Sequence, residues 1–106
     1  MLVLTTNEVP GHEITEVIGI VRGIVVRAPG ITQGFLGGLK SIIGGNIEAY
    51  AEVCEQARKD AYERMVDHAD RRGADAIIGM RYDATEFAQA TTEVLAYGTA
   101  VKTRKA

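Results

Sequence analysis

The segment over residues 13–27 is the most apolar part of the chain and carries β-branched side chains at both odd and even positions. Its sequence is EITEVIGIVRGIVVR. A strand that is apolar on both faces is typical of a sheet covered on both sides. On the odd-numbered face Gly19 and Gly23 remove side-chain bulk, which lets a neighbouring element approach closely. The pattern therefore predicts a long strand over residues 13–27 with both faces packed.

A period of 3.6 residues predicts one long helix over residues 47–72. Asn46 is a good N-cap, and Gly73 follows two arginines as a C-terminal stop. One side of the helix is apolar and the opposite side is charged. The apolar stripe contains Ile47, Ala51, Cys54, Ala57, Ala61, Met65 and Ala69. This stripe is the face that we expect to pack on a sheet.

Shorter patterns complete the order of elements. Residues 2–5 predict a short strand that a turn at 7–11 ends, and residues 76–82 and 92–101 predict two strands joined by a polar connection over 83–90. The order predicts one α+β domain over residues 1–106: a two-layer βαββ unit in which one long helix packs on a mainly antiparallel sheet.

The glycine-rich segment over residues 31–45 predicts a connector with a short helix around residues 35–43. Part of it, Gly34 to Ser41, approaches the phosphate-loop pattern G-x-x-x-x-G-K-[ST]. Leu39 separates the last glycine from Lys40, so the spacing is wrong for nucleotide binding. A connector that packs closely against a neighbour fits these residues better.

Helix length and strand pattern together predict self-association. A helix of about 26 residues is about 39 Å long, whereas a compact domain of this size has a radius of gyration of about 13 Å. One helix also covers only one face of the sheet, and residues 13–27 are apolar on both. We therefore expect a homo-oligomer whose copies cover the remaining apolar surface and pair the exposed strand edges. The alternative is a monomer in which residues 31–45 fold over the second face.

Composition strengthens that expectation and excludes several partners. The 106 residues are 46% apolar and include no Trp, four Tyr and two Phe, so small aliphatic side chains must form the core. A net charge of −2 supplies no basic field for nucleic acid or for acidic lipid. The single cysteine cannot form an intrachain disulfide, and no apolar run reaches the roughly 18 residues of a membrane span. We expect a cytoplasmic protein without a signal peptide.

Candidate metal ligands are His12, Cys54 and His68, and their spacing is unfavourable. Cys54 and His68 are 14 residues apart on the helix, about 21 Å along its axis, so they cannot share an ion within one subunit. The helical neighbours of His68 are Arg64, Arg71 and Arg72, and their positive charge opposes a cation. A divalent metal bound between subunits stays an alternative to a protein without a cofactor.

Two helix residues have a predicted structural role. Cys54 lies on the apolar stripe, which predicts an inert buried thiol and not a nucleophile. Arg58 lies at the centre of the same stripe, so we expect a structural ion pair with a carboxylate of the sheet or of an adjoining subunit, and the alternative is an anion-binding role. The available carboxylates are Glu16, Asp83 and Glu93. Because no acid, base and nucleophile group is recognisable, an enzyme at the inter-subunit clefts is the least favoured alternative.

Four ordered blocks of the sequence carry a family resemblance. These are GLKSIIGGNIEAY, CEQARKDAYERM, GADAIIGMRYDAT and EVLAYGTAVK. Together they resemble the YbjQ family of small bacterial proteins, which carries a heavy-metal-binding label. The resemblance implies a dodecin-like βαββ subunit that assembles as a homopentamer. It implies no activity, and the label attaches to no ligand motif here because no Cys-x-x-Cys is present.

The expected function is that of a non-enzymatic homo-oligomer, a pentamer, which serves as a binding or structural module with an unknown ligand. Its expected partner is a second copy of itself. The alternative is a heavy-metal-binding protein whose ligands are shared between subunits.

Overall fold

The computed structural model describes residues 1–27, 47–88 and 91–106. Within them the elements follow in the predicted order, which confirms the α+β class and the βαββ unit. They are β1 (Leu2–Val3), β2 (His12–Arg27), α1 (Ile47–Arg71), β3 (Ala76–Ala88) and β4 (Thr91–Lys105). The predicted helix over 35–43 and the N-cap at Asn46 lie outside the described residues.

The strands form one four-stranded sheet in the order β1-β3-β4-β2. The two long ladders, β2 with β4 and β3 with β4, are antiparallel, and the short β1 is parallel to β3. The pairing of β2 with β4 runs from His12 opposite Lys105 to Arg27 opposite Thr92. The sheet is thus mainly antiparallel, as predicted, and β2 is one of its two edge strands.

The predicted polar connection over residues 83–90 is wrong for most of its length. Strand β3 continues to Ala88 and β4 begins at Thr91. Asp83 lies opposite Leu95 in the ladder, and Glu86 lies opposite Thr92. Polar residues form a strand here because the ladder with β4 satisfies their backbone groups while their side chains stay in solvent.

Helix α1 packs its stripe on the sheet from Ala57 onwards. Ala61, Met65 and Ala69 are fully buried against residues of β2 and β4. At Gly23 a Cβ atom would overlap the carbonyl oxygen of Ala61 and would lie 2.5 Å from the backbone nitrogen of Met65. The helix backbone therefore rests directly on the strand, which confirms the predicted close approach at Gly23.

The C-terminus of α1 is closed by Gly73, as the sequence predicts. Gly73 has a φ of 76°, a conformation that favours glycine. Its N–H donates to the carbonyl of Asp70 at 3.0 Å, and the N–H of Ala74 donates to the carbonyl of Ala69 at 3.1 Å. This pair of bonds is a Schellman motif, and it satisfies carbonyls that the helix end would otherwise leave open.

A smaller apolar cluster lies on the face of the sheet opposite α1. Val9 covers Ala76 and Val101, which are paired across β3 and β4. Their neighbours in sequence, Ile77 and Ala100, face the helix, so the two clusters occupy opposite faces. The N-terminal segment therefore covers only one end of the outer face.

The described chain is elongated. Its extents are 53 × 24 × 18 Å and its radius of gyration is 16.7 Å, against about 13 Å for a compact domain of this length. A search of the described helix finds no stretch long and apolar enough to cross a membrane.

Candidate functional site

The first exposed feature is an apolar patch on the outer face of the sheet, which we call the outer patch (Val17, Ile20 and Val26). Val21 and Val25 face α1 and are buried, whereas Ile20 is 68% exposed and Val17 is 64% exposed. Val17 shares this outer face because it lies opposite Val101 in the ladder. The predicted strand with two apolar faces is present, and within the described residues only one of these faces is covered at this position.

The second feature is the N-terminal part of α1, which we call the overhang (residues 51–56). Arg64 and Arg72 reach carbonyls of β2, whereas Arg58 lies over Tyr82 of β3. Strand β2 is longer than the helix: its 16 residues span about 53 Å, whereas the 25 residues of α1 span about 38 Å. The exposure of the overhang is therefore not explained by a helix longer than its sheet, as the sequence suggested.

Cys54 lies on the overhang, and its thiol is exposed. The prediction of a buried thiol is therefore wrong for the single chain. The stripe continues through Ala51 and Cys54 with the right period, but both residues are exposed. Burial begins only at Ala57.

Arg58 lies at the boundary between the buried and the free part of the stripe. Its guanidinium carbon is 5.8 Å from the ring centroid of Tyr82, within the range of a cation–π contact. Arg58 forms no salt bridge with any carboxylate that the structure describes. The side chain is exposed, so its charge keeps contact with water and needs no buried partner. Pairing with a carboxylate of an adjoining subunit stays a prediction.

A wide-open cleft of 810 Å³ lies between the overhang and Tyr82. Its lining residues are Ala51, Glu52, Glu55, Gln56, Arg58, Lys59, Tyr62 and Tyr82. Burial is the main cause that raises the pKa of Tyr82 above 10.0; Tyr62 and Glu55 also raise it, and Arg58 opposes them. Tyr82 is therefore protonated at neutral pH and can donate a hydrogen bond into the cleft.

The third feature is a row of side chains from α1 along the outer edge of β2, which we call the edge ladder (Arg64, His68 and Arg72). Arg64 Nη1 donates to the carbonyl of Ile24 at 2.6 Å. The backbone N–H of Arg22 donates to His68 Nδ1 at 3.1 Å. Arg72 donates to two further carbonyls, those of Ile20 and Ile18, at 3.2 Å each.

Sequence reasoning missed the edge ladder because it treated the arginines only as a positive environment for His68. The signal is a spacing of four residues, which places the three side chains on one side of the helix. That signal becomes informative only when β2 is known to be an edge strand that runs beside this side of the helix. In a helix that faced solvent the same spacing would carry no such meaning.

The structure does not bring the three candidate metal ligands together. His12 begins β2, and its Nδ1 donates to the carbonyl of Pro10 at 3.1 Å. His68 uses Nδ1 in the edge ladder, and Cys54 lies on the overhang. Across the described ranges no group of three or more His, Cys, Asp or Glu residues could hold an ion. Ligands shared between subunits stay a prediction.

Comparison with known proteins finds a family whose sequences are similar to this chain. The YbjQ family model, described as "Putative heavy-metal-binding", matches residues 1–104. A UPF0145 protein of Legionella pneumophila strain Philadelphia 1 is 56% identical over 101 residues, 95% of this chain and 96% of that protein. A UPF0145 protein of Burkholderia mallei strain SAVP1 is 51% identical over 105 residues, 99% of this chain and 95% of that protein.

A solved structure is similar in fold. It is the crystal structure of a protein of unknown function from the DUF74 family of Pediococcus pentosaceus, and it covers 98% of both chains with a TM-score of 0.56. The sequence identity is 19%, so this similarity concerns the fold alone.

Proposed function

The chain belongs to the YbjQ family, and from this premise we propose that it functions as a non-enzymatic homo-oligomer, a pentamer, that serves as a binding or structural module in the cytoplasm. The observation that supports the proposal most is the outer patch, where Ile20 is 68% exposed and Val17 is 64% exposed. Fully burying one such side chain contributes about 1.5–3 kcal/mol. A second copy that covers the patch would gain, at each of its residues, the share of this contribution that corresponds to the exposed fraction of the side chain.

The overhang supports the same proposal from a different part of the chain. Its stripe has the period of a packing face, yet Ala51 and Cys54 lie in solvent. A neighbouring copy that contacted this stripe would bury it as the sheet buries Ala61. The outer patch and the overhang lie on different sides of the sheet, so one can contact the other on the next copy. A head-to-tail contact of this kind forms a ring when the rotation between copies closes.

Light scattering on the eluting protein, with native mass spectrometry of the untagged chain, tests the proposal. We expect a species of five times the chain mass of 11.4 kDa. Ile20→Lys should shift the mass toward 11.4 kDa, whereas Glu8→Lys, an exposed residue of the N-terminal loop, should leave it unchanged. A wild-type protein that elutes only at 11.4 kDa at all concentrations contradicts the proposal.

The second candidate function is heavy-metal binding with ligands shared between subunits. It is favoured by the exposed thiol of Cys54, since an exposed thiol is available to an ion and to ligands of a neighbouring copy. The family description names the same class of ligand. This candidate requires the oligomer, because one chain does not supply enough ligands among its described residues.

Elemental analysis of the untagged protein, followed by titration with Zn²⁺, Cu²⁺ and Ni²⁺, tests this candidate. We expect a fixed ratio of metal to chain that Cys54→Ser abolishes. His12→Gln and His68→Gln show in the same titration whether either histidine takes part. If the wild-type oligomer binds none of the three ions at a fixed ratio, the candidate is excluded.

A further inference from the structure

The outer edge of β2 is a long row of peptide groups that faces no other described strand. β2 contains 16 residues, whereas β1 at the opposite edge contains two. Such an edge offers unpaired N–H and C=O groups to any other chain and promotes strand addition. Charged side chains and proline are the residues that usually prevent pairing at an edge strand. Residues 18–26 contain one charged residue, Arg22, and no proline.

The edge ladder occupies four of these groups, the carbonyls of Ile18, Ile20 and Ile24 and the N–H of Arg22. From Arg64 to His68 to Arg72 the helix advances by four residues, about 6.0 Å, at each step. From Ile24 to Arg22 to Ile20 the strand advances by two residues, about 6.7 Å. The two repeats nearly coincide, so side chains of the helix meet successive outward peptide groups of the strand as a neighbouring strand would.

We propose that the edge ladder closes the outer edge of β2 against pairing with a strand of a second copy, and that protonation of His68 opens it. Arg64 and Arg72 are donors that occupy carbonyls, while His68 is the acceptor that occupies an N–H. The edge ladder thus offers β2 both donors and an acceptor, as a neighbouring strand would. This inference does not depend on the oligomer proposed above.

His68 is the member of the ladder that acid can change. Its Nδ1 accepts a backbone N–H, so the imidazole must be neutral and must carry its proton on Nε2. Protonation converts Nδ1 into a donor that faces another donor. It also adds a positive charge one turn from Arg64 and one turn from Arg72.

The other charged groups around His68 do not offset this change. On α1 Arg71 is bonded to Asp67 at 3.0 Å, so the nearest carboxylate already has a cation as its partner. On β2 the charged residue at this position is Arg22, which is also positive. Acid therefore places His68 among cations at the same time as it removes the hydrogen bond.

Hydrogen exchange of the Arg22 amide, followed by NMR, tests the acid-sensitive step directly. Between pH 7.5 and pH 5.5 we expect its protection factor, corrected for the intrinsic rate, to fall about threefold to tenfold, as the loss of one hydrogen bond implies. His68→Gln keeps an uncharged acceptor and should remove this pH dependence. An unchanged protection factor in the wild type overturns the acid-sensitive step, and so does an equal fall in His68→Gln.

The closure of the edge is tested by the variant Arg64→Ala/His68→Ala/Arg72→Ala. Its matched control is Asp67→Ala/Arg71→Ala, which removes two charged groups of the same helix that form no hydrogen bond with β2. We expect the triple variant to form species larger than the wild type whose mass grows with concentration, measured by light scattering. The control should keep the wild-type mass.

Circular dichroism establishes that the triple variant is folded. If it is not folded, Arg72→Ala, which frees two carbonyls at once, takes its place in the same measurement. A folded variant with the wild-type mass at every concentration overturns the proposed closure. A monomeric wild type would contradict the proposed pentamer and leave this comparison valid.

Discussion

The two halves of α1 have the same sequence pattern and different surroundings. In the C-terminal half Ala61, Met65 and Ala69 are fully buried on β2 and β4. In the N-terminal half Ala51 and Cys54 continue the same stripe and are exposed. The C-terminal half packs directly on the sheet, whereas the N-terminal half is separated from Tyr82 by the open cleft.

This difference shows what a period of 3.6 residues reports. The period identifies a face that is suited to packing, and it does not identify the surface that covers the face. For Ala61 that surface is strand β2 of the same chain, and Gly23 has no side chain that would block the approach of the helix. For Ala51 no described strand supplies it, which is why the proposed second copy has a place there.

The largest effect is expected from Gly23→Ala in the packed half. The new Cβ would overlap the backbone of α1 at Ala61, and backbone cannot move aside as a flexible side chain can. We expect a loss of about 3 kcal/mol or more in the free energy of unfolding, measured by urea denaturation. Gly73→Ala is the control: it strains a left-handed residue in open surroundings and should cost about 1–2 kcal/mol. Equal costs for the two variants would contradict direct packing of the helix backbone on β2.

A matched pair of substitutions on the stripe compares the two halves directly. Ala61→Leu places extra volume in a fully buried position and should cost about 1–3 kcal/mol in the free energy of unfolding. Ala51→Leu makes the same change on the overhang and should alter the stability of the monomer by less than about 0.5 kcal/mol. Measurement of the oligomer mass for both variants sharpens the comparison. A change of mass in Ala51→Leu alone would assign the overhang to an interface between copies.

Local signals were sufficient for much of the fold. The helix was predicted over 47–72 and occupies Ile47–Arg71, and its stop at Gly73 is a Schellman motif. These features depend on capping residues and periodicity, which are local in sequence. The close approach at Gly23 was predicted for the same reason, because a glycine within a β-branched run indicates contact with a neighbouring backbone.

Some features that depend on distant contacts were not predicted, although the mainly antiparallel sheet was. The ladder between β3 and β4 extends through residues whose polarity resembles a loop, such as Asp83 and Glu86. Cys54 was expected inside because it lies on the apolar stripe, but the stripe does not show which part of the helix a strand covers, and Cys54 is exposed. The edge ladder requires both the register of β2 and the direction of α1, and neither is written in a local pattern.

Among the substitutions that remove a contact, the smallest loss of stability is expected at Arg58, which lies between the two halves. Arg58→Gln removes the cation–π contact with Tyr82 and should cost about 0.5–1 kcal/mol, since the site is exposed. It also removes the positive charge that lowers the pKa of Tyr82, so this pKa should rise further. A pH titration of the tyrosinate absorbance measures the change, with Tyr82→Phe as the reference that lacks this group. A raised pKa means that the folded state holds the proton more strongly. The stability linked to Tyr82 is therefore present in full below pH 10 and is lost as the pH rises through the folded-state pKa.

An unchanged titration would show that the guanidinium of Arg58 does not act on Tyr82. Dissociation of the oligomer by Arg58→Gln would support pairing of Arg58 with a carboxylate of an adjoining subunit.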